Sequence, residues 1–143
     1  MTDTKNQFPQ LFLRWALSVT MLSAVADRFG WWSAENSSWG NMKSFEEYTR
    51  SLTFFLPEAL STFSAYAATF FEILLPLMLI VGFKTRIAAY GSSILMLIFA
   101  VSMTIALGSK APLNYSVWVG SAAALLLAVQ QHYSFSIDQL TKK

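Results

Sequence analysis

The sequence predicts an all-α integral membrane protein, a bundle of four transmembrane helices with a short interfacial helix in the first loop. Three observations carry this. Of the 143 residues, 55% are hydrophobic and only 13% charged, about half the charge of a soluble domain. Apolar segments recur at about residues 8–26, 55–82, 87–107 and 115–133. Each is about long enough, at about 1.5 Å per residue, for a hydrocarbon layer of about 30 Å, the last only if Gln130 to Tyr133 extend it. Finally, the window from Phe63 to Gly82 is so apolar that it reads as a membrane span, yet it holds Glu72 near its centre. Charge at mid-bilayer costs roughly 2.5–3.5 kcal/mol on insertion scales, so Glu72 is the first candidate site residue.

The length fits one domain spanning residues 1–143, and a net charge of +2 with scattered Lys and Arg excludes a nucleic-acid surface. With no cysteine, the chain alone supports no disulfide framework, CxxC pair, thiolate nucleophile, iron–sulfur cluster or c-type haem. The single His132 excludes bis-histidine haem within one chain. The six methionines are scattered in apolar helices and read as packing; no metal site is legible.

The first helix carries Arg14, and no small-residue cleavage site follows it, so it is expected to stay in the mature protein rather than act as a signal peptide. The long connection from Asp27 to Thr53 holds Trp31, Trp32 and Trp39, as suits a headgroup layer. Within it, Phe45, Tyr48, Leu52 and Phe55 recur every three or four residues opposite Glu46, Glu47 and Arg50, the pattern of an interfacial helix that serves as a belt or a binding lid. Asn36 to Ser38 matches a glycosylation triplet, a weak signal.

Small residues at four-residue spacing mark helix-facing stripes. These are Ala16, Thr20 and Ala24; Ser64 and Ala68 leading to Glu72; Ala88, Ser92, Ala100, Thr104 and Gly108; and Ser116, Gly120, Ala124 and Ala128. Glu72 is therefore expected to face the bundle, with Pro76 one turn on freeing its carbonyl from the helix ladder. Counted from a shared cytoplasmic boundary, Arg14 lies roughly 5–9 Å deep and Glu72 roughly 13–15 Å deep. An arginine spans that gap, so Arg14 and Glu72 are read as one buried polar site: an ion pair joining the first two spans, or the flanks of a polar cavity.

Lys84 and Arg86 form the tight turn between the second and third spans, either as positive-inside anchors or as a surface for an anionic lipid or a partner. Asp138 caps or pairs with this turn, and Asn114 is expected to cap the fourth span. Lys5, Lys84, Arg86, Lys142 and Lys143, with Arg14, lie on one side, against Arg28, Lys43, Arg50 and Lys110 on the other. Five acids offset that second group, which predicts both termini in the cytoplasm.

Arg14, the run Asp27-Arg28-Phe29-Gly30, and Glu72 followed by Leu74-Leu75-Pro76-Leu77 resemble the DoxX family. So do Gly82-Phe83-Lys84-Thr85-Arg86, the Ile87-Ala88-Ala89 that follows, and the ending Tyr133 to Asp138. That family comprises small four-helix bacterial membrane proteins related to the membrane subunit of thiosulfate:quinone oxidoreductase and to MauE-like proteins. Gln130, Gln131 and His132 stand where the family usually has glycines. The resemblance covers nearly the whole chain and implies a place in the bacterial inner membrane and an association with redox or oxidative-stress complexes.

Three functions fit. The first is an accessory subunit of a membrane-associated redox or envelope process, not an enzyme on its own, with the bilayer and a protein partner or a second copy as its contacts. The second is a quinone-binding membrane subunit of an oxidoreductase that holds quinone between the helices near Arg14 and Glu72 and passes electrons from a separate protein. The third is a small-molecule or proton transporter that uses Glu72.

Overall fold

The computed structural model describes residues 7–141, and among these the regular structure is entirely helical. The order is α1 (Gln7–Arg28), α2 (Met42–Leu52), α3 (Glu58–Val81), α4 (Thr85–Leu107), α5 (Lys110–Asn114), α6 (Val117–Ala128) and α7 (Ile137–Thr141). Lys5, Lys142 and Lys143, which weighed in the expected orientation, lie outside the described residues.

Three helices, α1, α3 and α4, are long and apolar enough to cross a membrane. The expected fourth span is shorter: α6 has 12 residues, about 18 Å. Its start is delayed because Ser116 takes a left-handed conformation at φ 54. Asn114 is the last residue of α5, not the cap of α6, which has no side-chain cap bond. Its far end stops at Ala128, where the Tyr133 hydroxyl donates to the carbonyls of Leu127 and Ala128 at 3.2 and 3.1 Å. Gln130 to Tyr133 therefore leave the helix instead of lengthening it. Likewise α3 starts at Glu58 rather than Phe55, because Pro57 disfavours helical backbone at the residue before it.

α1 packs chiefly on α3 and α4 on α6, with α2 lying across α3. The small-residue stripe of α4 does face inward: Ala88, Ser92 and Ala100 are buried. Opposite it, Ser121, Ala124 and Ala128 are buried on α6. Ser93 and Ser121 exchange hydroxyl-to-carbonyl bonds at 2.9 Å each, which lets the two backbones approach closely. On α3 the buried line is Ser61, Ala65, Thr69 and Glu72, and the expected Ser64 and Ala68 flank it half-buried. On α1 the buried line is Arg14, Leu17, Ser18, Met21 and Val25, while Ala16 and Thr20 are exposed. Large apolar side chains such as Phe12, Phe63, Phe70 and Ile98 cover the outside, the surface of a protein solvated by lipid.

The turn between α3 and α4 is fixed from the carboxy-terminal tail. Gly82 ends α3 with φ 69, and a Cβ there would sit 2.6 Å from Arg14 Nη2. Asp138 supplies the cap for α4: its carboxylate accepts the N–H groups of Lys84 and Thr85 at 2.7 Å each.

α2 begins where Asn41 Oδ1 accepts the Ser44 N–H at 2.9 Å. Its apolar face, Phe45, Thr49 and Leu52, is buried against the bundle. Arg50 joins it to Glu46 in the same helix and to Glu58 at the start of α3, at 2.7 and 2.9 Å.

Candidate functional site

Arg14 and Glu72 are both buried, at 0% and 7% exposure, but each has a different partner. Among the described residues Arg14 donates only to carbonyls: Nε to Leu79 at 2.9 Å, Nη2 to Ile80 at 3.1 Å, and Nη1 to Ser134 at 2.7 Å and Phe135 at 3.4 Å. Two of these belong to the last turn of α3, where helix carbonyls lack internal partners and carry partial negative charge. Gln10 extends the clamp, donating to the His132 carbonyl at 2.5 Å and accepting the Ser134 N–H at 3.0 Å. Arg14 thus fastens the tail to the end of α3.

Glu72 pairs instead with Arg28: Nη1 lies 2.5 Å from Oε2. The expected Arg14–Glu72 pair fails on register. Ser18 donates to the Pro76 carbonyl and Arg14 reaches Leu79 and Ile80, so Glu72 is level with about Leu22 of α1, roughly 12 Å along the axis from Arg14. Depths counted from one shared boundary had compressed that separation. Arg28, about 9 Å beyond Leu22, reaches down into the bundle to close the gap.

Arg28 is 2% exposed and held on several sides. Its Nη1 donates to the Thr69 hydroxyl at 2.9 Å. Its guanidinium carbon lies 3.5 Å from the Phe45 ring centre and 5.4 Å from that of Trp39, and the two rings meet edge to face at 5.0 Å. Such cation–ring contacts gain strength when water is excluded. Asp27 builds the roof. Its carboxylate accepts from the Ser37 hydroxyl and from the N–H groups of Ser38, Trp39 and Gly40, the last three at 2.9, 3.0 and 3.4 Å. It draws the first loop back over the helix end and sets Trp39 above Arg28.

Arg28 and Glu72 line a cavity of about 1210 Å³, together with the acids Asp27 and Glu47. Its body is apolar, with Leu17 and Met21 from α1, Phe99 and Met103 from α4, and Val119 and Ala123 from α6. Ala16, Thr20 and Ala24 line it too, so the small-residue stripe of α1 borders this space rather than a helix. Trp32, Glu47, Tyr48 and Tyr115 line its more exposed part, so the aromatic first loop and α2 form a wall of the chamber. The volume exceeds that of an ordinary small-molecule site.

Lys84 and Arg86 stand exposed at the α3–α4 turn, on the tail side of the bundle; Arg86 Nη2 donates to the Gln130 carbonyl at 3.3 Å. Among the described residues, no three His, Cys, Asp or Glu side chains are grouped to hold a metal.

Sequence reasoning placed Arg28 in the outer loop and missed it as the partner of Glu72. A basic residue ending an apolar helix reads as a boundary anchor, and only the register with α3 turns it inward. The signal that was present was the adjacency of Asp27 and Arg28.

The geometry is that of a helical membrane bundle with a buried arginine–glutamate pair at the head of an amphipathic chamber. The chain belongs to the DoxX family, whose model matches residues 10–105, from α1 to the end region of α4. No curated protein and no solved structure matches it.

Proposed function

We propose that this chain is a non-catalytic membrane subunit that holds a quinone-class amphipathic molecule for a membrane-associated redox or envelope process, while a partner protein carries the electron-transferring centre. One observation supports this above the others: the chamber of about 1210 Å³ is largely apolar and has the Arg28–Glu72 pair in its lining. A quinone has the matching shape, an apolar tail and a polar ring. Arg28 donates to its oxygen and the aromatic wall of Trp39 and Phe45 flanks the ring. The quinone supplies two-electron chemistry when bound; the chain binds and orients it and keeps water from it. In the same reading the protein lies in the bacterial inner membrane with the Lys84–Arg86 turn and both termini in the cytoplasm.

The test is purification in mild detergent of wild type beside Glu72→Gln, with mass spectrometry of co-purifying small molecules and a thermal melt of each. A stoichiometric quinone-class molecule, in either redox state, in wild type that is depleted in a folded Glu72→Gln protein is the expected result. Wild-type protein that takes up no quinone, even when quinone is supplied, overturns the reading.

A further inference from the structure

We infer that the head of the chamber selects a group that donates and accepts a hydrogen bond together, so the hydroxyl form of a quinone-class ligand binds in preference to the carbonyl form. This rests on the function proposed above and names which redox state the site favours.

The argument starts from unused bonding capacity. A carboxylate offers about four lone-pair sites, and among the described residues Glu72 has one partner, Arg28 Nη1. That contact, although only 2.5 Å long, does not aim a hydrogen bond at Oε2, which is left without one. Arg28 Nε also has no hydrogen-bond partner. The other acid beside them differs: Asp27 accepts four bonds from the loop. Thr69, the remaining polar neighbour, accepts from Arg28 and donates to the Ala65 carbonyl at 2.9 Å. Of the four buried side-chain atoms without a hydrogen bond among the described residues, Arg28 Nε and Glu72 Oε2 are the two whose residues line the chamber.

A hydroxyl placed there donates to Glu72 and accepts from Arg28. A carbonyl oxygen accepts from Arg28 but turns its lone pairs toward the carboxylate, in surroundings where water does not screen the repulsion. Hydrogen bonds to an ionised group are stronger than those between neutral groups, and one such bond corresponds to a preference of about tenfold or more. For a two-electron couple a tenfold tighter grip on the reduced form raises the bound potential by about 30 mV.

The experiment uses the full chain in detergent under anaerobic conditions and follows quenching of tryptophan fluorescence. The probes are a decyl-substituted benzoquinone, its hydroquinone and the dimethyl ether of that hydroquinone. In wild type the hydroquinone is expected to bind about tenfold tighter than the quinone or the ether, and in Glu72→Gln its advantage should shrink to about threefold or less. A quinone or an ether that binds wild type as tightly as the hydroquinone overturns the inference and leaves the proposed function standing. Failure of all three to bind overturns both. The wild-type series decides the matter even where Glu72→Gln does not fold.

Discussion

Two arginines are buried in this bundle, and the contrast between them separates scaffold from site. Arg14 is wrapped by four carbonyls from α3 and the tail, with each of its three nitrogens donating, and it is not part of the chamber lining. Arg28 is met by one carboxylate, one hydroxyl and the faces of two rings, and it borders an open chamber. Backbone carbonyls neutralise a cation by dipole and fix geometry, whereas a carboxylate beside a cavity keeps lone pairs for something else. Burial of an arginine thus serves fastening in one case and, in the function proposed above, recognition in the other.

The largest effect should come from splitting the Arg28–Glu72 pair. Glu72→Ala leaves a buried guanidinium without its counter-charge and is expected to destabilise the protein by on the order of 3–5 kcal/mol, read as a lowered melting temperature in detergent. The double change Arg28→Met with Glu72→Met should return stability to within about 1 kcal/mol of wild type or above it, while ligand binding stays lost. A double variant that still binds would break the assignment of recognition to this pair.

Next is the fastening arginine. Arg14→Met orphans buried carbonyls in α3 and the tail and is expected to cost roughly 3 kcal/mol. Limited proteolysis should then cut first near residues 130–136, with ligand affinity unchanged in the fraction that remains folded. Loss of affinity there equal to that of Glu72→Ala would erase the distinction between the two arginines.

A smaller effect is expected at the cap of α4. Asp138→Ala removes the acceptor for Lys84 and Thr85 N–H and should lower stability by about 1 kcal/mol, measured by chemical denaturation.

The smallest concerns α2, the wall of the chamber. The Thr62 hydroxyl and Arg50 hold the Glu46 carboxyl below the usual carboxylate range. A group lowered on folding contributes stability that is complete above its unfolded value and is lost as pH falls through its folded one. Acidification below the ordinary glutamate range should therefore loosen α2 slightly, seen as faster amide exchange at residues 42–52, and Glu46→Gln should flatten that response.

Much of the fold was legible because lipid imposes a simple rule: long apolar stretches must satisfy their backbone internally, so α1, α3 and α4 stood out by length and composition. The bounds of α6 are less legible, since nothing apolar in residues 115–133 announces that Ser116 turns left-handed or that Tyr133 takes the helix end. The aromatic loop was read as belt or lid, and the structure makes it a wall of the chamber through Asp27, a residue whose side chain bonds to positions ten to thirteen residues ahead.

By itself the sequence determined the helical membrane character, the turn at Gly82 and the singularity of Glu72 in an apolar span. Each follows from local composition or from the conformational needs of one residue. The tertiary structure alone decided that Arg28 is the partner of Glu72, that Arg14 binds carbonyls, and that the small face of α1 borders a cavity. Those outcomes depend on the axial register of α1 against α3, where a shift of two turns exchanges one arginine for the other. A single sequence does not carry that register, because many side chains along both helices fix it jointly.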